Sequence, residues 1–205
     1  MIPATDALQR LKEGNARFTA HVHSSDAYVS YKRRPELTMA QEPFAIILGC
    51  SDARVPAELI FDQGLGDLFV IRVAGNIVAP SQVGSIEFAA ERFNTRLVVV
   101  VGHSQCGAIA ATLEELRRPT ENQSKNLHAI VERVRPAVEG LLHTPVASDP
   151  EALYHAATRA NIQSSVDQLR HGSEVLEQLI RDNGLIIVGA EYYVETGVVE
   201  FIDEG

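Results

Sequence analysis

The sequence has few basic residues, no long apolar run and only two cysteines, and each shortage excludes a class of protein. Lysine and arginine number 18 against 27 aspartates and glutamates, which gives a net charge of -9. A nucleic acid or an anionic membrane surface would require clustered positive charge. The longest strongly apolar run, 97–101, is far too short to span a bilayer. We therefore expect no nucleic-acid partner and no membrane partner.

The amino terminus also lacks the apolar stretch of an export signal, because charged residues are spread through residues 1–15. We therefore expect a cytoplasmic protein. In that compartment Cys50 and Cys106 are expected to stay reduced and not to form a structural disulfide. Free thiols commonly pack as small apolar side chains, so the neighbours of these two residues decide whether they have another use.

Short apolar runs alternate with helical patterns, which is typical of an α/β protein with a mainly parallel central sheet flanked by helices. Strands are predicted at 44–49, 68–73, 97–102 and 185–190. Helices are predicted at 5–21 with a cap at Thr5 or Asp6, and at 84–93, 104–117, 125–142 and 151–181 with a break near Gly172. A turn at Thr196 and Gly197 predicts a hairpin that adds a C-terminal edge strand. The 205 residues are expected to form one domain, with an N-terminal helical arm at 1–43 and an α/β core at 44–205.

Reactive side chains directly follow two of the predicted strands. They are Cys50, Asp52 and Arg54 after the first strand, and His103 and Cys106 after the third. In open parallel sheets, functional groups gather beyond the carboxyl ends of the strands. An extended chain after Cys50 would project residues 50, 52 and 54 to one side. A helix beginning near Ser104 would place His103 and Cys106 at its positive end.

Two thiolates and one imidazole form a donor set that suits zinc. Structural zinc sites usually close with four cysteine or histidine ligands, and this chain offers three such residues beside a carboxylate. Three protein ligands with one open position are typical of a catalytic zinc site.

Two stretches, CSDARVPAE (50–58) and IEFAAERFNTRLVVVVGHSQCG (86–107), resemble the two signatures of the β-class carbonic anhydrases, and the likeness extends from about Thr5 nearly to the end of the chain. The resemblance implies that Cys50, His103 and Cys106 bind one zinc ion per chain. It further implies reversible hydration of carbon dioxide to bicarbonate and a proton by a zinc-bound hydroxide.

The resemblance assigns catalytic roles to Asp52 and Arg54. Paired with Arg54, Asp52 would accept a hydrogen bond from the hydroxide; in a closed form Asp52 would instead become the fourth zinc ligand. Members of the family that adopt this closed form carry a tryptophan three residues before the first cysteine. This chain has no tryptophan and has Ile47 at that position. Members of the family that keep the open form carry a glutamine nine residues before that cysteine, and this chain has Gln41 at that position. The open form is therefore expected.

The same resemblance identifies Gln41, Phe69 and Phe88 as residues that line the substrate cleft. Because the cleft of these enzymes lies at a dimer interface, a homodimer or a higher even homo-oligomer is implied. The helix near residues 5–20 is expected to hold the partner.

Other interpretations stay open at this point. The same zinc site could hydrolyse carbon disulfide or carbonyl sulfide, as relatives of similar sequence do. The chain could bind zinc without catalysis, although the complete set of five site residues argues against that. The two thiols could also serve redox chemistry. Taken singly, Asp52 and Arg54 could be a surface ion pair and His103 a buried core histidine.

Overall fold

A computed structural model describes residues 2–22, 36–38, 40–118 and 124–202. Its strands are β1 (Ala45–Gly49), β2 (Leu68–Arg72), β3 (Leu97–His103), β4 (Ile186–Tyr192) and β5 (Val199–Ile202). The helices are α1 (Ala4–Thr19), α2 (Ala57–Ile60), α3 (Pro80–Arg92), α4 (Gly107–Arg117), α5 (Lys125–Val138), α6 (Pro150–His171) and α7 (Glu174–Asn183). Short 3₁₀ turns cover Glu36–Thr38, Ala74–Asn76, Glu139–His143 and Pro145–Ser148. Across these described ranges, every helix is too short or too polar to cross a membrane.

The strands form one five-stranded sheet in the order β2-β1-β3-β4-β5. The pairs β1–β2, β1–β3 and β3–β4 are parallel, and β4–β5 is antiparallel. Gly49 pairs with Val101 in the β1–β3 register, so these two strands end at the same edge of the sheet. The α/β fold with a mainly parallel sheet and a C-terminal edge strand is thereby confirmed.

The sheet is buried on both faces, which is why its strands are continuous apolar runs. On one face Ile47, Val99 and Val188 pack in a core that also contains residues of α1 and α2. On the other face Ile46 and Val98 pack with residues of α3, α6 and α7. The helix α1 therefore covers the sheet of its own chain.

Several helix ends differ from the sequence prediction. The helix α1 begins at Ala4 after Pro3, so the predicted cap at Thr5 or Asp6 is wrong. The helix α3 begins four residues earlier than predicted, because Pro80 stands in its first turn, where its missing N–H is no loss. The helix α5 ends at Val138, and the chain continues to His143 in a tighter 3₁₀ turn.

The turn between β4 and β5 is fastened to α1. The Asn15 side chain donates from Nδ2 to the Gly197 carbonyl at 2.9 Å and accepts at Oδ1 from the Val199 N–H at 2.8 Å. Gly197 adopts φ +75°, which an L side chain rarely does, and its Cα faces the Phe18 ring. The hairpin predicted from Thr196 and Gly197 is confirmed, and its turn is held in one position.

Candidate metal centre

Three potential ligands converge where β1 and β3 end. Cys50 follows β1, His103 is the last residue of β3, and Cys106 immediately precedes α4. Their ligand atoms all lie within 4.8 Å of one another, and the two Sγ atoms are 4.0 Å apart. Two sulfurs bound to one zinc at about 2.3 Å in a tetrahedron would be about 3.8 Å apart. The spacing therefore suits a shared zinc ion.

The histidine has the orientation that a metal ligand requires. His103 is fully buried, and its Nδ1 lies 2.8 Å from the Ser104 carbonyl oxygen. A carbonyl accepts only, so Nδ1 carries the proton and Nε2 presents its lone pair. Among the described residues, no hydrogen-bond partner reaches this buried Nε2. A metal ion beside the two sulfurs would satisfy it.

The Cys50 and Cys106 thiols are in hydrogen-bond contact, and this contact shifts their pKa values in opposite directions. A hydrogen bond from Cys106 lowers the pKa of the Cys50 thiol, and His103 and the Gly75 N–H, 3.4 Å from Cys50 Sγ, act in the same direction. The hydrogen bond to Cys50 and burial raise the pKa of Cys106. Two thiolates side by side are therefore disfavoured, and a divalent metal that displaces both protons would offset that repulsion.

Asp52 and Arg54 meet through a turn. The Val55 N–H donates to the Asp52 carbonyl at 3.1 Å, so the chain turns after Asp52 and does not stay extended as far as Arg54. The Arg54 guanidinium donates from Nε to Asp52 Oδ1 at 2.9 Å and from Nη2 to Oδ2 at 2.8 Å. This bidentate pair keeps the pKa of Asp52 well below its usual range.

The Asp52 carboxylate lies beside the candidate ligands without joining them. Its Oδ2 is 4.0 Å from His103 Nε2. Within the described part of the chain, the group with metal-ligand spacing at this edge comprises Cys50, His103 and Cys106. The arrangement corresponds to the open form, with Asp52 paired to Arg54.

The helix α4 begins at Gly107, three residues later than predicted. Cys106 therefore occupies the cap position, and the connection 104–105 is a tight turn. The reason lies at Gln105, whose φ of +55° is left-handed and incompatible with a helix starting at Ser104.

Sequence patterns did not reveal several residues that support the site. Arg72 donates from Nε to the Cys50 carbonyl at 3.0 Å and from Nη2 to the Asp52 carbonyl at 2.6 Å. The Tyr154 hydroxyl, on α6, donates to the Cys106 carbonyl. These contacts join residues 20 or more positions apart, and no local pattern identifies them.

Gln105 and Glu195 form a second layer around Arg54. Arg54 donates from Nη2 to the Gln105 carbonyl at 3.0 Å and from Nη1 to Gln105 Oε1 at 3.4 Å. Gln105 Nε2 in turn donates to Glu195 Oε1 at 2.6 Å, across 90 positions of sequence.

The three residues assigned to the substrate cleft lie away from this edge within the chain. Gln41 is exposed ahead of β1. Phe69 pairs in register with Ile46, four positions before Cys50 and hence about 13 Å along the strand. Its ring contacts Phe88, which is 52% exposed, with centroids 6.4 Å apart. A single chain does not bring these residues to the metal edge.

Comparison with known proteins gives one consistent result. The family model described as "Carbonic anhydrase" matches residues 45–199. The chain is 40% identical to a carbonic anhydrase of Mycolicibacterium smegmatis, over 95% of this chain and 91% of that protein. It is 38% identical to carbonic anhydrase 2 of Mycobacterium tuberculosis, over 93% and 89% respectively.

Solved structures agree with these sequence matches. The β-carbonic anhydrase CcaA superposes with a TM-score of 0.75 at 28% identity, covering 96% of this chain and 95% of that one. A β-carbonic anhydrase of Sordaria macrospora, described as tetrameric, superposes with a TM-score of 0.74 at 23% identity, covering 86% and 91%. At that lower identity the second likeness supports the fold alone.

Proposed function

Because this chain belongs to the β-carbonic anhydrase family, we propose that Cys50, His103 and Cys106 hold the zinc ion at which it hydrates carbon dioxide reversibly to bicarbonate and a proton. The observation that carries this assignment is the convergence of three buried ligand atoms, one of them an imidazole nitrogen with no other partner among the described residues. The chain is thus a zinc lyase, a carbonate dehydratase.

Zinc, when bound, would supply Lewis acidity that makes hydroxide available near neutral pH. The protein's own part is to hold charges and protons in place around it. The Ser104 carbonyl keeps the proton of His103 on Nδ1, which leaves Nε2 to bind the metal. Arg54 keeps Asp52 ionised, so that Asp52 accepts hydrogen bonds and cannot act as a donor. The guanidinium also withholds this carboxylate from the metal.

The first test combines metal analysis with stopped-flow hydration of carbon dioxide. The wild-type protein should contain one zinc per chain. Cys106→Ser and His103→Ala should lose the metal and at least about a hundredfold in activity, since ligand loss exceeds the 10–100-fold cost of losing a supporting contact. His128→Ala, which changes an exposed histidine, is the matched control. Recovery of Cys106→Ser activity by a thiol reductant would favour redox chemistry instead.

The carbon disulfide and carbonyl sulfide alternative is not favoured. The sequence relatives and solved structures described above are carbonic anhydrases. Stopped-flow assays with these two substrates should give no turnover comparable to that with carbon dioxide.

We also propose an even homo-oligomer in which Gln41, Phe69 and Phe88 line the cleft of a neighbouring chain. Two observations support this: Phe88 is exposed, and all three residues lie away from the metal edge of their own chain. The described tetramer of the Sordaria macrospora relative is consistent with it. Light scattering should give a mass of two or four chains of 22.4 kDa. Phe88→Ala should raise KM for carbon dioxide several-fold; a fully active monomer would refute the proposal.

A further inference from the structure

Glu195 accepts hydrogen bonds from the connection between β3 and α4 at both of its carboxylate oxygens. Its Oε1 accepts from Gln105 Nε2 at 2.6 Å, and its Oε2 accepts from the Ser104 hydroxyl at 2.8 Å. The same hydroxyl accepts from the Val194 N–H at 2.9 Å. The β4–β5 turn that carries Glu195 is itself fastened to α1 through Gly197. Glu195 therefore links a fixed turn to the loop that joins the candidate ligands His103 and Cys106.

Gln105 has a conformation that requires outside support. Its φ of +55° costs a non-glycine residue about 1–2 kcal/mol, and such conformations persist when the surroundings impose them. The left-handed turn directs both the backbone carbonyl and the side-chain oxygen of Gln105 to the Arg54 guanidinium. The hydrogen bond from Gln105 Nε2 to Glu195 fixes the amide so that Oε1 faces Arg54.

Arg54 depends on this support. Its side chain is 43% exposed, and its hydrogen bonds to described residues go to Asp52 and Gln105 alone. An exposed arginine loses considerable side-chain entropy when it pairs, and preorganisation by Gln105 reduces that cost. Asp52 Oδ2 lies 4.0 Å from His103 Nε2, so a cation at the ligand group would compete with Arg54 for the carboxylate.

We propose that Glu195 is a positioning residue of the metal centre: by fixing Gln105 it holds Arg54 against Asp52, and thereby keeps the Asp52 carboxylate off the metal. The inference rests on the proposed function, because it requires a metal at Cys50, His103 and Cys106. It assigns Glu195 and Gln105 to control of the fourth coordination position, whereas a merely structural Glu195 would affect only the β4–β5 turn.

The test uses the full-length protein loaded with Co²⁺, whose visible absorption reports its ligands, titrated with azide as a probe for the fourth position. Loss of a charge-assisted hydrogen bond should raise the apparent Kd for azide about fivefold in Glu195→Ala, because Asp52 then competes with azide. Gln105→Ala should give a similar loss, and the double variant should lose no more. Glu195→Gln can still accept from Gln105 and donate to Ser104, so it should recover most of the affinity.

Two controls separate this mechanism from others. Thr196→Ala removes a hydrogen bond of the same turn but touches neither Gln105 nor Arg54, and should bind azide like the wild type. In the Asp52→Asn background, Glu195→Ala should have no effect on the Kd for azide, because no carboxylate remains to compete. An equal loss in that background, or equal values for Glu195→Ala and Thr196→Ala, would overturn the proposal. If the wild type takes up no Co²⁺ and shows no hydration activity, the proposed function fails, and this inference with it.

Discussion

His103 and Asn76 both carry a buried side-chain nitrogen without a hydrogen-bond partner among the described residues. Burying such a nitrogen without a hydrogen bond costs about 1–3 kcal/mol of folding free energy, so each of the two requires an explanation. For His103 Nε2 the explanation is the metal, since two sulfurs lie beside it. For Asn76 Nδ2, no contact among the described residues supplies such an explanation. The comparison shows that an unsatisfied buried atom indicates a ligand only where other ligand atoms converge on it.

Glu191 and Glu200 share two partners but differ in burial. The Tyr193 hydroxyl lies 3.3 Å from Glu191 and 3.0 Å from Glu200, and Arg159 Nη1 lies 3.5 Å and 3.2 Å from them. Burial raises the pKa of Glu191, although His155 and Arg159 oppose it. Hydrogen bonds from Tyr193 and Arg159 lower the pKa of Glu200.

The opposite pKa shifts of Glu191 and Glu200 predict opposite pH dependences of the free energy of unfolding. A raised pKa means that the folded state binds the Glu191 proton more tightly, so its contribution to the free energy of unfolding falls as pH rises above the usual value of about 4.3. The lowered pKa of Glu200 gives a contribution that is present above that value and is lost as pH falls through its folded pKa.

Urea unfolding from pH about 3 to 6 tests this residue-scale prediction, because the Glu200 contribution changes below the usual glutamate pKa of about 4.3 and the Glu191 contribution changes above it. The free energy of unfolding of Glu191→Gln, relative to wild type, should rise with pH over this window. The relative value for Glu200→Gln should fall, by a small amount because Glu200 is exposed. Parallel trends for the two variants would contradict the assignment of burial as the cause.

Among the strands and helices, close packing at the end of β3 sets the position of His103. Gly102 lies against α6, and an added Cβ would be 2.5 Å from Ile162 Cγ1 and 2.6 Å from Cδ1. In contrast, a Cβ at Gly84 in α3 would meet nothing within 4 Å. Close packing against Ile162 therefore requires a glycine at position 102, whereas no steric contact requires one at position 84.

Substitution by alanine should have opposite effects at these positions. Gly102→Ala should lower the free energy of unfolding by about 1–3 kcal/mol through overpacking. Gly84→Ala should raise it by about 0.5–1 kcal/mol, because alanine is the better helix former. Denaturant unfolding measures both, and Gly102→Ala should cost less in an Ile162→Ala background, where space is available. An unchanged cost in that background would refute the proposed clash.

For the whole molecule, the metal centre joins loops that follow strands far apart in sequence. Cys50 and Cys106 are separated by 56 positions, and each lies in the connection between a different strand and the helix that follows it. A ligand that binds only the folded state stabilises it by mass action, by about 2.7 kcal/mol at a hundred times its Kd. Zinc is therefore expected to stabilise the whole fold as well as to enable catalysis.

Removal of zinc should lower the melting temperature. For a chain of this size the shift should be about 5–10 °C between a chelator and a zinc buffer held at a hundred times Kd. Calorimetry of the wild type at several free zinc concentrations checks this, with Cys106→Ser as the variant that should not respond. A melting temperature independent of zinc in the wild type would mean that the three ligand atoms do not bind it.

The local sequence determined the elements and the reactive residues. Apolar runs and helical spacing predict strands within two residues of where β1 to β4 lie, since burial on both faces of a parallel sheet demands such runs. The order of Cys50, His103 and Cys106 after two strands predicts the ligand group, because parallel strands end at a common edge. These inferences depend on interactions between residues close in the chain, or on a topology that periodicity reveals.

The tertiary structure alone decided what surrounds the ligands. The start of α4 at Gly107 and the Glu195–Gln105–Arg54 chain of hydrogen bonds were not predictable from local patterns. Each depends on a polar contact or a left-handed residue whose cost is offset by groups up to 90 positions away. Such long-range pairings arise only once the sheet has formed, because its geometry sets which distant loops become neighbours.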